Sequence, residues 1–335
     1  MKRFLLITLC LLVVVSLVVG CSPSKPPEQP ADQDDEQEAK LDIQMILATG
    51  GTAGTYYPLG GAIADVWNTN IPGANVVAQA TGASVENMKL IDKKEAELCL
   101  IQNDIAEYAA TGIEAFDGQP LNSGAGIATL YPEVIQIIVA EDSPVNSIKD
   151  IKGMRVSVGA PGSGNEANAR QILETLGLTY DDIKPFFISY AESADQFKDG
   201  HIDVILLTTG APNAGIQDVS AVKKIKFISL AEDEVAAIQE KYPFLTSFTM
   251  KAGTYSNQDY DVETVAVQAI VMIHKDQPDE VVYALTKALW ENRDHLAQVN
   301  NKAEYMDIDD PVKGITIPIH PGAAKYYQEQ GIELP

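Results

Sequence analysis

Short apolar runs alternate with helical patterns from residue 41 to the last residue, and this alternation constrains the fold more than any other feature. The segments "IQMILA", "ANVVAQA", "AELCLI" and "EVIQIIVA" read as strands, and "RVSVG", "IDVILLTTG", "KIKFISL" and "AVQAIVMIH" repeat the pattern further along. Between them lie helical periodicities. In "PLGGAIADVWN" the residues Leu59, Ala62, Ile63, Val66 and Trp67 fall on one face of a helix. "SVENMKLIDKKE", "DIAEYAATG", "NEANARQILETLGL" and "PGAAKYYQEQG" are further helices, and "PDEVVYALTKALWENRDHLAQ" reads as one long helix. Such alternation predicts an α/β chain with a mostly parallel sheet. The length divides into two core-bearing lobes, with lobe I formed by residues 41–133 and 251–335 and lobe II by residues 134–250.

The first twenty residues do not fit that plan. "MKR" is a basic start, and "FLLITLCLLVVVSLVVG" is an unbroken apolar run, so residues 1–20 read as a secretory signal peptide. The ending "LVVGC" resembles a bacterial lipobox, which implies cleavage before Cys21 and lipidation of that cysteine. Residues 21–40 are rich in proline and acid, lack aromatics and read as a disordered tether. The protein is therefore expected outside the cytoplasm and lipid-anchored to the cell membrane, in a periplasm or on the outer face of the cytoplasmic membrane. Cys99, in "AELCLI", reads as an inert core thiol.

The chain carries 24 basic against 47 acidic residues. An acidic surface of this kind excludes nucleic acid as a partner and repels small anions at long range, so an anionic ligand would need a locally favourable site.

One stretch offers such a site. "TGGTAGTYYPLGG" (Thr49–Gly61) links a strand to a helix, with Gly51, Thr52, Gly54, Thr55, Tyr56 and Tyr57 at the turn. Its glycines permit positive φ and close backbone approach, Thr55 can cap the helix, and the helix terminus favours an anion. It lacks the lysine of a P-loop and the spacing of GxGxxG, so a nucleotide is not expected. A second loop, "VGAPGSGNEANARQ", repeats the plan with Gly162, Ser163, Asn165 and Glu166, and Ser163 and Glu166 have capping-box spacing. Further strand ends carry uncharged donors: Thr81 and Ser84, Gln102 and Asn103, and Thr208, Thr209 and Asn213. Ligands of α/β sheets bind beyond strand carboxyl ends, so these loops predict a cleft between the lobes. Arg155 and Arg293 lie outside these stretches and Arg170 is nearly two turns into its helix, so backbone N–H groups, hydroxyls and amides are expected to hold a carboxylate there. The four histidines are scattered, Pro161 breaks a G-x-S-x-G elbow at Ser163, and no metal spacing is present. Neither a catalytic residue, a metal nor a cofactor is expected.

The stretches "ATGGTAGTYYPLGGAIADVWN", "QATGASVENMKLI", "VSVGAPGSGNEANARQIL", "TGAPNAGIQD" and "AGTYSNQDYDVETVAVQAI" carry a resemblance that extends over nearly all of the chain after the tether. The chain resembles the TAXI family of solute receptors, which serve tripartite ATP-independent periplasmic (TRAP) transporters. The resemblance implies a type II periplasmic-binding-protein fold, two lobes with a hinge, and a monomeric receptor. Such a receptor closes on a small organic acid or amino acid, such as glutamate or a dicarboxylate, and delivers it to an ion-driven membrane permease. Ala53 and Asn165 depart from the family pattern, where glycine and threonine are common. Which of Tyr56 and Tyr57 faces the ligand stays open. The alternative reading is a binding protein of an ABC importer of the thiamine-precursor or sulfonate type. A hydrolase using Ser163 and a structural surface antigen are weaker alternatives.

Overall fold

Each glycine-rich loop lies where a strand hands over to a helix, and the repeated hand-over builds the molecule. The computed structural model describes residues 41–335. The signal peptide, Cys21 and the tether expected over residues 1–40 lie outside the described residues.

The first half alternates regularly: β1 (Ile43–Ala48), α1 (Tyr56–Asn70), β2 (Ala74–Gln79), α2 (Ser84–Asp92), β3 (Leu98–Gln102) and α3 (Asn103–Thr111). Leu59, Ile63, Val66 and Trp67 are the buried stripe of α1, and the Trp67 indole donates to the Leu285 carbonyl at 2.9 Å. Gly112 ends α3 in the left-handed conformation. Then β4 (Gly124–Ala140) runs for 17 residues, starting nine residues before the strand expected at "EVIQIIVA". The middle of the chain gives β5 (Arg155–Ser157), α4 (Gly164–Thr175), β6 (Lys184–Phe186), α5 (Tyr190–Lys198), β7 (Val204–Thr209), α6 (Ala214–Val222), β8 (Ile225–Phe227), α7 (Glu232–Lys241) and β9 (Thr246–Met250). It closes with β10 (Val262–His274), α8 (Asp279–Glu291), α9 (Arg293–Val299) and α10 (Pro321–Glu329). The single long helix expected near the end is two helices. Asn292 breaks it, with its side-chain amide donating to the Ala288 carbonyl at 2.8 Å while its backbone leaves the helical region.

The strands form one sheet in the order β2-β1-β3-β10-β4-β7-β5-β6, with β8 on β4 and β9 on β10. The two outer wings are parallel: β1 pairs with β2 and β3, and β5 with β6 and β7. The expected mostly parallel sheet is corrected at its centre. There β4 and β10 run antiparallel to each other, and each pairs antiparallel with the wing beside it. Two long strands that run in opposite directions through both halves explain this, because the chain crosses to the second half and must come back.

The hydrophobic cores follow the wings. One cluster joins residues such as Leu47, Ile63, Trp67, Leu100, Ile270, Leu285 and Tyr327. Two others are built from the middle of the chain, around Ile137, Val156, Ile172 and Leu206 on one face and Phe197, Ile205, Val219 and Phe227 on the other. Tyr255, Val262, Val265 and Val267 pack with these middle clusters, whereas Ala269 to Ile273 pack with the first. Cys99 is fully buried in β3, and burial raises its thiol pKa, which keeps it protonated. Among the described residues no helix is long and apolar enough to cross a membrane, and no group of histidine, cysteine and carboxylate side chains is placed to hold a metal.

Candidate functional site

The carboxyl ends of β1, β2, β5 and β6 lead into α1, α2, α4 and α5, and the first residues of these four helices line one cavity. It encloses about 590 Å³ of non-atom space, part of it open to solvent.

The first wall is the loop that opens α1. Gly51, Gly54, Thr55 and Tyr56 line the cavity. Thr52 does not, and Tyr57 is 37% exposed on the outside of the helix, so Tyr56 is the inward tyrosine. Two expectations for this loop are corrected. Its glycines stay out of the positive-φ region, and Thr55 has helical backbone angles and makes no cap hydrogen bond. The Thr55 hydroxyl instead meets the Thr209 hydroxyl at 3.0 Å. Close packing is what Gly60 supplies: a Cβ there would lie 2.5 Å from Thr49 Cγ2.

Thr81 and Ser84 line the cavity at the start of α2, and Gln102 lines it from the end of β3. Asn103 turns away. Its amide donates to the Gly314 carbonyl at 2.9 Å and accepts from the Gln268 N–H at 2.9 Å, which ties α3 to the C-terminal segment.

The facing wall comes from α4 and α5. Ser163 lines the cavity and caps α4 as its spacing predicts, accepting from the Glu166 N–H at 3.1 Å while donating to the Ala160 carbonyl at 2.7 Å. Gly162 is not a lining residue, but it has φ +78 and its carbonyl accepts from the Glu86 N–H of α2 at 3.4 Å. Glu166 points elsewhere and accepts from the Tyr180 hydroxyl at 2.7 Å. Asn165 lines the cavity, yet its amide is used on backbone: Nδ2 donates to the Val158 and Leu206 carbonyls at 2.9 and 3.1 Å, and Oδ1 accepts from the Thr208 N–H. Asn165 thus braces the end of β5 against β7. Thr209 lines the cavity and Thr208 does not. Asn213 caps α6 and donates to the Ala53 carbonyl at 3.3 Å, across the cleft mouth.

Four lining residues were not anticipated from the loops: Tyr131, Glu133, Ser189 and Tyr190. Tyr131 and Glu133 project from the middle of β4, and Tyr190 opens α5. Glu133 could have been noticed as a lone acid in a long apolar run, "ATLYPEVIQIIV". Ser189 and Glu192 form a complete capping box, from the same spacing that Ser163 and Glu166 have. Glu133 is almost fully buried. The Tyr56 hydroxyl donates to one of its oxygens, and the Gln102 amide lies 3.5 Å from the other. Burial pushes its pKa up to about 8, against the lowering effect of the Tyr56 hydrogen bond. No lysine, arginine or histidine lines the cavity. Arg155 pairs with Asp203, Arg293 donates to the Met306 and Glu304 carbonyls, and Arg170 reaches across to Glu114 at 2.6 Å.

From Gln102 a buried polar chain continues between the halves. Its amide nitrogen donates to Asn168 Oδ1 at 3.2 Å, and Asn168 donates to Asp104 at 2.8 Å. Burial raises Asp104 to a pKa of about 6.

The family model described as NMT1-like matches residues 47–331. The chain belongs to the NMT1-like family. Its match to this NMT1-like model takes in every element that lines the cavity. An Escherichia coli protein named for binding aliphatic sulfonates is 31% identical over 78 residues, 23% of this chain and 24% of that one. The chain thus spans about a quarter of the length of the curated relative it matches. Among solved structures, a Listeria monocytogenes protein designated an L-cystine ABC transporter aligns at 14% identity with a TM-score of 0.50, covering 78% of this chain and 98% of that one. A Streptococcus mutans structure concerned with glutathione import aligns equally well, at 14% identity and TM-score 0.50, over 78% and 95% of the two chains. At such identities the likeness establishes the fold, and this NMT1-like protein has the two-lobed fold of periplasmic binding proteins.

Proposed function

We propose that the chain is an extracytoplasmic solute-binding receptor that captures a small organic acid in this cleft and presents it to a membrane transporter. The observation that carries the reading is the convergence of four helix N-termini, those of α1, α2, α4 and α5, on one cavity without a lysine or arginine. The leading N–H groups of a helix have no partner within it, and the helix dipole adds partial positive charge, so four such ends make a site for a carboxylate or a similar anion. Two lobes meet at the cavity, and a ligand that touches both favours the closed form.

The finer reading is a receptor of the TAXI type serving a TRAP permease, with glutamate or a dicarboxylate as ligand. It would be a monomer, divided into residues 41–133 with 251–335 and residues 134–250, and anchored through Cys21. The sequence resemblance supports this. A second reading, the binding protein of an ABC importer for a sulfonate, is favoured by the 78-residue match to the aliphatic sulfonates-binding protein. Helix termini accept either anion. Neither reading uses Ser163 as a nucleophile, since its hydroxyl is occupied as a cap.

Native mass spectrometry of the purified protein, followed by calorimetric titration with glutamate, 2-oxoglutarate, succinate, fumarate and simple alkanesulfonates, tests the proposal. A carboxylate binding at micromolar level supports the first reading, and an alkanesulfonate preference supports the second. No binding by any member at millimolar concentration overturns both.

A further inference from the structure

The cavity is polarised. Its rim is made of helix N-termini, but its floor holds a carboxyl group, Glu133, with no cation opposite it. An anion bound at the helix termini does nothing for that carboxyl group, and a second anionic group of the ligand placed against it would meet like charge.

The groups facing Glu133 are few. Tyr56 from α1 donates its hydroxyl, and the Gln102 amide from β3 lies at 3.5 Å. Tyr131 on β4, Asp104 on α3 and Tyr190 on α5 also act on its surroundings. Lys302, whose side chain packs near Gly210 and Tyr131, spends its ammonium on the Ala211 carbonyl at 2.8 Å and so does not serve Glu133. Two polar atoms of the floor have no partner at all: Gln102 Oε1 and the Tyr131 hydroxyl, both on residues that are at most 2% exposed. Gln102 Oε1 is thus an acceptor without a donor, beside a Glu133 carboxyl whose second oxygen meets only the Gln102 amide, at 3.5 Å.

Buried acceptors left without donors are costly, and a ligand that brings donors recovers that cost on binding. A protonated amine brings three N–H donors and a positive charge. We propose that Glu133, with Gln102 Oε1, receives a protonated amine of the ligand, so that the pocket selects an amine-bearing acid over the same acid without the amine. This inference rests on the solute-binding reading above and narrows it. It also predicts a proton balance. Burial keeps the Glu133 carboxyl protonated near neutral pH when the site is empty. An incoming ammonium favours the carboxylate, so the carboxyl proton leaves to buffer as the ammonium–carboxylate pair forms.

Calorimetric titration of the full mature protein with L-α-amino acids and their 2-oxo and deamino counterparts, in two buffers of different ionisation heat, tests this. At pH 7 the amine-bearing member of a pair is expected to bind about 10–100-fold tighter than its counterpart. Its binding is expected to release close to one proton and to tighten from pH 6 to pH 8. Glu133→Gln is expected to lose the preference and the proton release, so that the two members of a pair bind with similar affinity. An amine-free acid that binds as well as its partner, or affinity that falls as pH rises because a protonated Glu133 donates to a ligand carboxylate, overturns the inference while leaving the receptor reading intact. No binding by either class overturns the receptor reading too. The wild-type proton release stands as a test even if the variant folds poorly.

Discussion

The hydroxyl oxygens of Thr55 and Thr209 lie 3.0 Å apart, joining the start of α1 to the end of β7. One belongs to each wing of the sheet, and both line the cavity. Valine at either position keeps shape and deletes the bond, worth about 1 kcal/mol. Thr55→Val and Thr209→Val are each expected to weaken ligand binding several-fold. The double variant should cost little more than either single one, which a double-mutant cycle by calorimetry reads directly. Fully additive losses would show that the two hydroxyls act separately.

Gly164 and Gly60 separate ligand binding from stability. A methyl group on Gly164, the first residue of α4, would overlap Gln102 Oε1 in the facing wing. Gly164→Ala is expected to turn the Gln102 side chain away from α4, leaving the circular dichroism spectrum unchanged while ligand affinity falls. Gly60 packs against Thr49 within one half, so Gly60→Ala is expected to lower stability by about 1–3 kcal/mol, read by urea denaturation. A Gly164→Ala protein that binds normally would contradict the observed fit between α4 and Gln102.

Buried acids give the empty protein a pH signature. Burial raises Glu133 from 4.5 to about 8 and Asp104 from 3.8 to about 6. An acid whose pKa is higher in the folded chain holds its proton more tightly there, so folding is favoured most below the unfolded value. That advantage is lost as pH rises through the folded value. The unliganded protein is therefore expected to lose stability between pH 5 and pH 8, by at most about 5 kcal/mol from Glu133. Urea midpoints of Glu133→Gln and Asp104→Asn should be flatter over that range, and midpoints as steep as wild type would rule out this origin.

Arg170 reaches from α4 to Glu114, beyond the end of α3, at 2.6 Å, and both side chains are more than two-thirds buried. The pair touches no part of the cavity. Arg170→Gln is expected to weaken ligand binding about 3–10-fold through closure alone, with a smaller salt dependence than wild type. A change confined to melting temperature would mean that the pair serves stability and not closure.

The proposed lipid anchor rests on Cys21. In cells, Cys21→Ser is expected to move the protein from the detergent phase to the aqueous phase on Triton X-114 partitioning. An unchanged distribution would exclude lipidation as the means of attachment.

The sequence was informative wherever local chemistry sets structure. Hydrophobic spacing marked Leu59, Ile63 and Trp67 as an inner face, and S-x-x-E marked Ser163 as a cap, because each signal acts within one helical turn. The loops of two wings could be grouped at strand ends for the same reason. The cavity floor was not visible that way. Tyr131 and Glu133 sit inside a strand, and their meaning depends on Tyr56 and Gln102, which are remote in the chain and neighbours only after folding. Asn103, Glu166 and Asn165 show the converse: polar residues at the right strand ends whose partners prove to be backbone or distant side chains. Composition at a loop says that a donor is present but not where it points.

Val134 of β4 stands opposite Ala266 of β10 in the ladder, so the polypeptide leaves for the second wing and comes back at adjacent points. Everything between them is in effect a long insert between two neighbouring rungs. A short reverse turn spliced from Val134 to Ala266 would close the remaining strands into a hairpin, giving a miniature that keeps the α1, α2 and α3 half of the jaw. Val134 and Ala266 are both buried in the middle of the sheet, so the two cores meet along these rungs, and a break made there without the turn would open the packed strands to water.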